Sequence, residues 1–281
     1  MRRPRIEWSI SSWGCDMVDL VIAVLYGVVQ GVTEWLPVSS TGHMILLDAW
    51  LPLRVSDDFR AFFLVAVQLG SLLAVPAVFR GRMSGASRAL WAKVLCAVVP
   101  AGVCGLLLDD LIEARLSSPA VVAGALIAYG VAFLCVGRRR GSIADAAAVP
   151  LGRAVGVGCF QALALIPGTS RSGSTMLGGA LLGLDRGCAA EFSFLLAMPT
   201  MLAAAGLKGA KLGLALARGE VATTAGEWVM LAVAAVAAYA VSRAAIRFLM
   251  DFVRRRGFAA FGIYRILLGG AVFAAYAAGL I

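Results

Sequence analysis

Long apolar runs alternate with short polar connectors along most of the chain. Six runs are long enough to cross a bilayer, whose hydrocarbon core of about 30 Å needs roughly 20 apolar residues per helix. They cover approximately 61–79, 90–108, 119–136, 189–207, 228–247 and 258–280. This pattern predicts an all-α integral membrane protein, a polytopic helical bundle of about six transmembrane helices.

Two further apolar segments, about 18–51 and 154–184, are interrupted in the middle by Pro, Ser, Thr and Gly. The stretch from Pro37 to Asp48 would form a helix of roughly 18 Å, which is too short to cross. We therefore expect both segments to be re-entrant hairpins built from broken helices. Non-helical backbone at membrane depth is tolerated only where protein buries it or water reaches it. The two tips should therefore meet in one polar site near the midplane.

The two broken segments also resemble each other. GVVQGVTEWLPVSSTGHMIL (27–46) and GCFQALALIPGTSRSGSTML (158–177) share Gly, Gln, Pro and a tip rich in Ser, Thr and Gly. Three spans follow each segment, an odd number, so the copies should form an inverted-topology repeat. The predicted organisation is one membrane domain with a disordered extension at 1–16, a first repeat at 17–140 containing hairpin 18–51, and a second repeat at 150–281 containing hairpin 154–184.

Charge orients this arrangement. The chain is 61% hydrophobic and carries a net charge of +9, and its basic residues concentrate in the connectors 80–88, 137–140 and 247–256. By the positive-inside rule these connectors face the cytoplasm and the acidic stretch 109–115 faces outward, although the basic loop at 208–218 violates the rule. Because the basic residues form topogenic connectors, we exclude nucleic acid as a partner.

The first tip combines an amide, a carboxylate, hydroxyl groups and the only histidine of the chain. Gln30 and Glu34 are four residues apart, so they should share a helix face. Pro37 should interrupt the helix, and one of the hydroxyl residues that follow should cap the next half-helix, with His43 in its first turn. Those hydroxyl residues are Ser39, Ser40 and Thr41.

The second tip is rich in groups that bind anions. After Pro167 the sequence GTSRSG supplies backbone N–H groups, hydroxyls and Arg171, which together predict a phosphate cradle at a helix start. Its residues are Gly168, Thr169, Ser170, Arg171, Ser172 and Gly173. A central charge costs about 2.5–3.5 kcal/mol on insertion, whereas a Leu returns only about 0.3–0.6 kcal/mol. Glu34 and Arg171 therefore need a function or a partner.

Each of these residues also has a purely structural interpretation, which the sequence leaves open. Glu34 and Arg171 could form an ion pair that fixes the repeat interface. His43 could be a satisfied core histidine, and the hydroxyl residues of the first tip could serve only as caps. Glu191 could be no more than a charge near a helix end.

At these residues the sequence resembles the undecaprenyl-diphosphate phosphatase family, the membrane phosphatases associated with bacitracin resistance. The family's first motif is present as QGVTEWLPVSSTGH and its second as PGTSRSG. The resemblance runs from Met17 to the C-terminus and includes QLG at 68–70 and FSFLLAMP at 192–199.

The resemblance implies hydrolysis of the lipid substrate undecaprenyl diphosphate to undecaprenyl phosphate and inorganic phosphate, which recycles the carrier for peptidoglycan synthesis. It also implies the bacterial cytoplasmic membrane, a site that opens to the periplasmic or outer face, and a divalent cation, Mg²⁺ or Ca²⁺. Membrane lipid is a further expected partner, and a homodimer is left open.

Residue roles follow from the same resemblance. Glu34 is a catalytic residue expected to engage the metal or to orient a catalytic group, and Gln30 is the second metal ligand, whose amide oxygen can coordinate but cannot act as a base. Ser40 is the candidate nucleophile, although direct attack by water is equally open, and His43 is the acid/base residue. Arg171 should hold the diphosphate and stabilise charge in phosphoryl transfer. The remaining diphosphate-binding residues expected are Ser39, Thr41, Gly168, Thr169, Ser170, Ser172 and Gly173.

Secondary transporters are also built from inverted repeats with broken helices that meet in mid-membrane. A transporter or flippase of a lipid phosphate is therefore the alternative function. The histidine beside the hydroxyl cluster favours the enzyme, since an anion carrier needs Arg and N–H groups but has less use for an imidazole.

Overall fold

The computed structural model describes residues 16–84, 87–136 and 141–281. The predicted extension up to Cys15 and the basic connector at 137–140 lie outside the described residues. Within the described ranges the chain is helical and has no strand. Its α-helices are α1 (Met17–Thr33), α2 (Ser40–Trp50), α3 (Asp57–Leu72), α4 (Ala74–Val78), α5 (Arg80–Ser84), α6 (Arg88–Leu116), α7 (Pro119–Val136), α8 (Leu151–Ala162), α9 (Arg171–Leu181), α10 (Arg186–Ala217), α11 (Ala225–Arg256) and α12 (Ala259–Ala277).

The prediction of an all-α, multi-pass membrane protein is confirmed. Among the described residues, six helical stretches are long and apolar enough to cross a bilayer. They are Phe59–Val78 (α3 and α4), Arg88–Leu108 within α6, Pro119–Val136 (α7), Arg186–Ala217 (α10), Ala225–Arg256 (α11) and Ala259–Ala277 (α12). Each overlaps one of the six apolar runs in the sequence.

Both broken segments are interrupted next to their prolines. The first helix α1 ends at Thr33 and α2 begins at Ser40, on either side of Pro37. In the second segment α8 is followed by a short 3-10 turn, Leu163–Leu165, and α9 begins at Arg171. Both α2 and α9 have 11 residues, a length of about 16 Å that is shorter than a bilayer core. The re-entrant path and the inverted orientation of the two repeats stay predictions.

The first helix of each half packs against a long helix of the other half. Along the α1–α11 contact, a Cβ atom added at Gly27 would lie 2.2 Å from the carbonyl oxygen of Ala234. Along the α8–α6 contact, a Cβ atom added at Gly158 would lie 2.0 Å from the carbonyl oxygen of Ala97. Both glycines are the first residue of their repeated sequence segment. Glycine allows the two backbones to approach closely where any side chain would separate them.

A column of buried aromatic rings lies beneath the first tip. The Trp35 ring meets the Phe194 ring edge to face at 5.2 Å between centroids, and Phe79 lies 6.0 Å from Phe194 on the far side. All three rings belong to one buried apolar cluster. Trp35 connects this cluster to the second tip, because the Arg171 guanidinium lies over its ring.

Candidate active site

The two tips line one cavity of about 230 Å³. The first tip contributes Glu34, Ser40 and Thr41, and the second contributes Gly168, Ser170 and Arg171. Six of the residues proposed from sequence therefore face the same space. Gln68 of α3 and Thr200 of α10 complete its polar lining.

The cavity lies near the middle of the spanning helices. Thr200 comes 14 residues after Arg186, the first residue of the 32-residue helix α10. At 1.5 Å per residue this is about 21 Å along a helix of about 48 Å. Thr200 therefore lies at about half the length of α10, and the meeting of the tips at the midplane of the membrane stays a prediction.

Arg171 is held in the cavity by groups from both repeats. Its Nη2 donates to Glu34 Oε1 at 2.9 Å, and its Nη1 donates to the carbonyl oxygen of Ser193 at 3.2 Å. The guanidinium also lies over the Trp35 ring, 5.4 Å from the ring centroid. Gln30 Nε2 donates to the second carboxylate oxygen of Glu34 at 2.8 Å, so the predicted shared face of Gln30 and Glu34 is confirmed. These contacts fix the direction of the guanidinium before any ligand binds.

The residues that precede α2 and α9 share an unusual backbone conformation. Among the described residues, Ser39 (φ 71°) and Ser170 (φ 70°) are the two non-glycine residues with positive φ. Such conformations cost about 1–3 kcal/mol and concentrate at functional sites. They turn the chain so that the first residues of α2 and α9, Ser40 and Arg171, both line the cavity.

The two helix starts differ in capping. Ser170 Oγ accepts from the Gly173 backbone N–H at 3.2 Å and so caps α9, a role that was not predicted from the sequence. At α2 the N-cap residue is Ser39, but its side chain makes no capping hydrogen bond, and its hydroxyl is buried without a partner among the described residues. The prediction of a hydroxyl cap at α2 is therefore wrong. The first N–H groups of α2 carry no side-chain cap and are available to an anion.

Of the remaining tip residues, some line the cavity and others form hydrogen bonds that support the tips. No hydrogen bond among the described residues uses the hydroxyl of Ser40 or Thr41, so both can reach a ligand. Ser172 Oγ instead donates to the carbonyl oxygen of Glu34 at 3.0 Å, and Thr169 Oγ1 donates to that of Ile166 at 2.8 Å. Gly173 is also buried, and it does not line the cavity.

His43 lies beside the first tip and outside the set of residues that line the cavity. Its Nδ1 is 2.7 Å from the carbonyl oxygen of Ser39, and its Nε2 is 2.7 Å from Tyr264 Oη. A carbonyl oxygen only accepts, so Nδ1 carries a proton, and Nε2 accepts from Tyr264 Oη when the ring is neutral. The imidazole therefore links the start of α2 to α12.

Arg265 of α12 is a central residue of the site that was not singled out from the sequence. It is fully buried at 0% exposure, and its guanidinium donates to the carbonyl oxygens of Pro37 (3.2 Å), Gly168 (2.8 Å) and Thr169 (2.9 Å). It lies over the ring of Tyr129, 5.4 Å from the centroid. One cation thus ties the backbones of both tips together. The signal was present, because Arg265 interrupts the apolar run 258–280 as Arg171 interrupts its own segment.

Gln68 and Thr200 line the cavity, and Ser193 holds Arg171, yet the sequence assigned none of them a role. They occur in or beside the recognised stretches QLG and FSFLLAMP, which could have indicated them. Glu191, in contrast, lies away from the cavity and pairs with Arg82. The position of Glu191 therefore fits its purely structural interpretation, a charge near a helix end.

The donor set restricts how a divalent cation could bind. Among the described residues no group of three or more His, Cys, Asp or Glu side chains could hold a metal ion. The cavity offers one carboxylate, Glu34, with the amide of Gln30 bonded to it. Mg²⁺ often uses one or two carboxylates together with substrate phosphate oxygens and water. The donor set fits an ion shared with a phosphorylated substrate.

Comparison with known proteins matches nearly the whole chain. The family described as Bacitracin resistance protein BacA matches residues 23–271. Undecaprenyl-diphosphatase 1 of Clostridioides difficile is 45% identical over 272 residues, which are 92% of this chain and 97% of the relative. Undecaprenyl-diphosphatase of Enterococcus faecalis is 40% identical over 90% of this chain and 96% of its own length. Undecaprenyl-diphosphatase of Streptococcus thermophilus is 42% identical, with shares of 90% and 92%.

Proposed function

The chain belongs to the Bacitracin resistance protein BacA family, and from this premise we propose that it is an undecaprenyl-diphosphate phosphatase. It hydrolyses undecaprenyl diphosphate with one water to undecaprenyl phosphate and inorganic phosphate. The observation that carries the proposal is the cavity in which Arg171 of one tip meets Glu34, Ser40 and Thr41 of the other. Recycling of the lipid carrier for peptidoglycan synthesis and bacitracin resistance follow from this activity.

The alternative function, transport or flipping of a lipid phosphate, is not favoured. The three relatives are named as diphosphatases and align over at least 90% of this chain. The close packing of Trp35, Phe194 and Phe79 under the first tip also favours a site with a closed floor.

Arg171 and the two helix starts form the proposed diphosphate site. A guanidinium binds phosphate oxygens through two parallel N–H donors, and uncapped N–H groups at a helix start attract anions. In phosphoryl transfer most of the catalytic effect comes from such positioning and charge stabilisation. Glu34, Gln30 and the Ser193 carbonyl keep the guanidinium aimed into the cavity.

Ser40 and Thr41 line the cavity, and neither hydroxyl has a hydrogen-bond partner in the part of the chain that the structure describes. The attacking oxygen belongs either to Ser40 or to a water that these hydroxyls orient. Rapid quenching with substrate labelled in its terminal phosphate distinguishes the two, because attack by Ser40 leaves label on the protein and attack by water does not. The geometry favours a positioning role for His43, whose two ring nitrogens are bonded to Ser39 and Tyr264.

A divalent cation would be held by Glu34 and the amide oxygen of Gln30, together with oxygens of the substrate. When bound, the ion would supply positive charge that neutralises the diphosphate and polarises the bond to the leaving phosphoryl group. Both Mg²⁺ and Ca²⁺ prefer such oxygen donors.

The proposed location is the bacterial cytoplasmic membrane, with the cavity opening to the outer face. The basic residues Arg82, Arg247 and Arg254 line a cavity at the C-terminal end of α11 that shares no residue with the cavity between the tips. The positive-inside rule assigns this end to the cytoplasm. The basic stretch 208–218, which the sequence predicted to be a loop and which forms the C-terminal end of α10, then faces outward.

Phosphate release from undecaprenyl diphosphate by detergent-purified protein tests the function. We expect release that a chelator abolishes and that added Mg²⁺ or Ca²⁺ restores, and we expect the Arg171→Ala variant to lack it. Arg243→Ala is the matched control, because Arg243 is a partly buried arginine that contacts Tyr239 and lies outside the cavity. Absence of release from folded wild-type protein would refute the phosphatase, and full activity of Arg171→Ala would refute the site.

A further inference from the structure

A second and larger cavity, of about 460 Å³, lies between the α4–α5 junction and the last turns of α11. Its polar lining is formed by Arg82, Arg247, Asp251 and Arg254, and its apolar wall includes Phe79 and Met250. It shares no residue with the site between the tips. The aromatic column separates the two, since Phe79 lines this cavity and Trp35 lies under Arg171.

The charges in this second cavity are unbalanced. Arg82 is paired with Glu191. Among the described residues Arg247 and Arg254 form no ion pair within 4 Å, although Arg254 lies near the Glu191 carboxylate that Arg82 pairs with, and both arginines are exposed. Arg247 and Arg254 are seven positions apart on α11, two helical turns, so they present their guanidiniums on one face. The single lining carboxylate, Asp251, leaves an excess of one positive charge between them.

The position of the cavity along α11 indicates what it faces. This helix has 32 residues and ends at Arg256, so it is about 48 Å long and extends beyond a hydrocarbon core of about 30 Å. Arg247 and Arg254 occupy its last three turns. They therefore lie at the level where lipid head groups meet water, beside the apolar surfaces of Phe79 and Met250.

We propose that this second cavity binds a phosphate group, supplied by the head group of an anionic membrane lipid or free in solution. Two guanidiniums on one helix face match phosphate oxygens bidentately. Basic pockets between spanning helices are known to bind phospholipid head groups. The apolar wall favours the lipid as the source, because Phe79 and Met250 can cover the first carbons of an acyl chain while the arginines hold its phosphate.

Binding to purified protein in detergent tests this proposal, with Arg171→Ala as the background so that the first site does not contribute. The probes are dioctanoyl phosphatidylglycerol, dioctanoyl phosphatidylcholine and inorganic phosphate, followed by native mass spectrometry and titration. The test variant is Arg247→Gln/Arg254→Gln. The matched control is Arg255→Gln/Arg256→Gln, which removes the same charge from exposed positions at the same helix end that do not line the cavity.

We expect the test variant to bind phosphatidylglycerol at least about tenfold more weakly, since it loses the charged hydrogen bonds that both guanidiniums would donate to the phosphate. The control variant should stay close to the starting affinity. Arg247→Lys/Arg254→Lys, which keeps the charge but not the planar fork, should fall between them. If the glutamine variant does not fold, the lysine variant takes its place as the test variant.

The probes identify the source of the phosphate. A lipid source predicts binding of phosphatidylglycerol that depends on Arg247 and Arg254 and that inorganic phosphate displaces poorly. A free anion predicts binding of inorganic phosphate with the same dependence. Equal losses in the test and control variants would overturn the proposal, because they would indicate attraction by general surface charge. The proposal would also be overturned if the Arg171→Ala background, with Arg247 and Arg254 intact, bound no inorganic phosphate and did not prefer phosphatidylglycerol to phosphatidylcholine.

Discussion

Arg171 Nη2 lies 2.9 Å from Glu34 Oε1, although the two residues are 137 positions apart in the chain. Only 14% of the Arg171 side chain and 7% of the Glu34 side chain are exposed. Removing one partner of a pair this buried leaves a charge without compensation, which typically costs about 3–5 kcal/mol. Substitutions of this pair are therefore expected to change both stability and activity, and the two effects can be measured separately.

Single and double substitutions of this pair separate those effects. We expect Glu34→Gln and Arg171→Gln each to lower both stability and turnover. The double variant should regain much of the lost stability because no uncompensated charge remains, while its turnover stays near background. Unfolding by denaturing detergent and phosphate release, measured on the same preparations, provide the two readouts. A double variant that regains activity would show that the pair is structural only.

Arg265 is expected to position the two tips. Arg265→Met removes three hydrogen bonds to tip carbonyls, at about 0.5–1.5 kcal/mol each or more for a charged donor. Arg265→Lys keeps the charge but cannot span all three carbonyls, so we expect it to recover melting temperature while kcat stays low with little change in KM. Arg243→Met is the control, as its guanidinium lies over Tyr239 and contacts no tip carbonyl. Recovery of kcat together with melting temperature in Arg265→Lys would contradict a positioning role.

The glycine at the α8–α6 contact should tolerate no side chain. An alanine Cβ at position 158 would lie 2.0 Å from a backbone oxygen, so Gly158→Ala must push α8 away from α6, at a cost of about 1–3 kcal/mol. Because α8 leads into the second tip, turnover should fall as well. Gly152→Ala in the same helix meets no atom within 4 Å and should be neutral or slightly stabilising. Similar melting temperatures for the two variants would disprove the close contact.

The strained serines that precede α2 and α9 should respond differently to glycine. Ser39→Gly relieves a positive φ and removes a buried hydroxyl that has no partner, so we expect a gain of about 1 kcal/mol in unfolding free energy. Ser170→Gly relieves the same strain but loses the bond from the Gly173 N–H, and its net effect should be about 1 kcal/mol less favourable. Chemical unfolding of the two variants in one detergent measures this difference, and equal shifts would refute the explanation.

Tyr264 distinguishes the two interpretations of His43. If His43 positions the start of α2, Tyr264→Phe and His43→Gln should each reduce kcat by about tenfold, since each removes a hydrogen bond or two at the same junction. A general acid or base contributes about 10²–10⁴-fold. A loss of that size in His43→Gln alone, with the loss of one limb of the pH profile of kcat, would assign proton transfer to His43.

The sequence predicted those parts of the molecule that local patterns determine. Apolar runs of span length located the six long helices, and the positions of Pro37 and Pro167 located the breaks within the two shorter segments. The contact between Gln30 and Glu34 followed from a four-residue spacing on one helix. Each of these features depends on residues close together in the chain, so periodicity and backbone chemistry are sufficient to predict them.

The features that the sequence did not predict depend on tertiary contacts. Arg265 acts on carbonyls that lie 96 and 228 positions away, and no local pattern specifies that distance. Ser39 and Ser170 have nearly the same positive φ, yet only Ser170 caps its helix, so neither the residue type nor the local backbone predicts which hydroxyl forms a cap. His43 was expected in the cavity from its neighbours in sequence, but its partner Tyr264 belongs to the last helix.

The close contact between α1 and α11 has a consequence for biosynthesis. About 190 residues separate Thr33 from Ala225, and at 5–20 residues per second a ribosome needs on the order of 10–40 s to synthesise them. During this interval α1 lacks the helix that receives Gly27 and Gly31. The close contact between α1 and α11 can therefore form only late in the synthesis of the protein, after the residues that line the cavity between the tips have all been made.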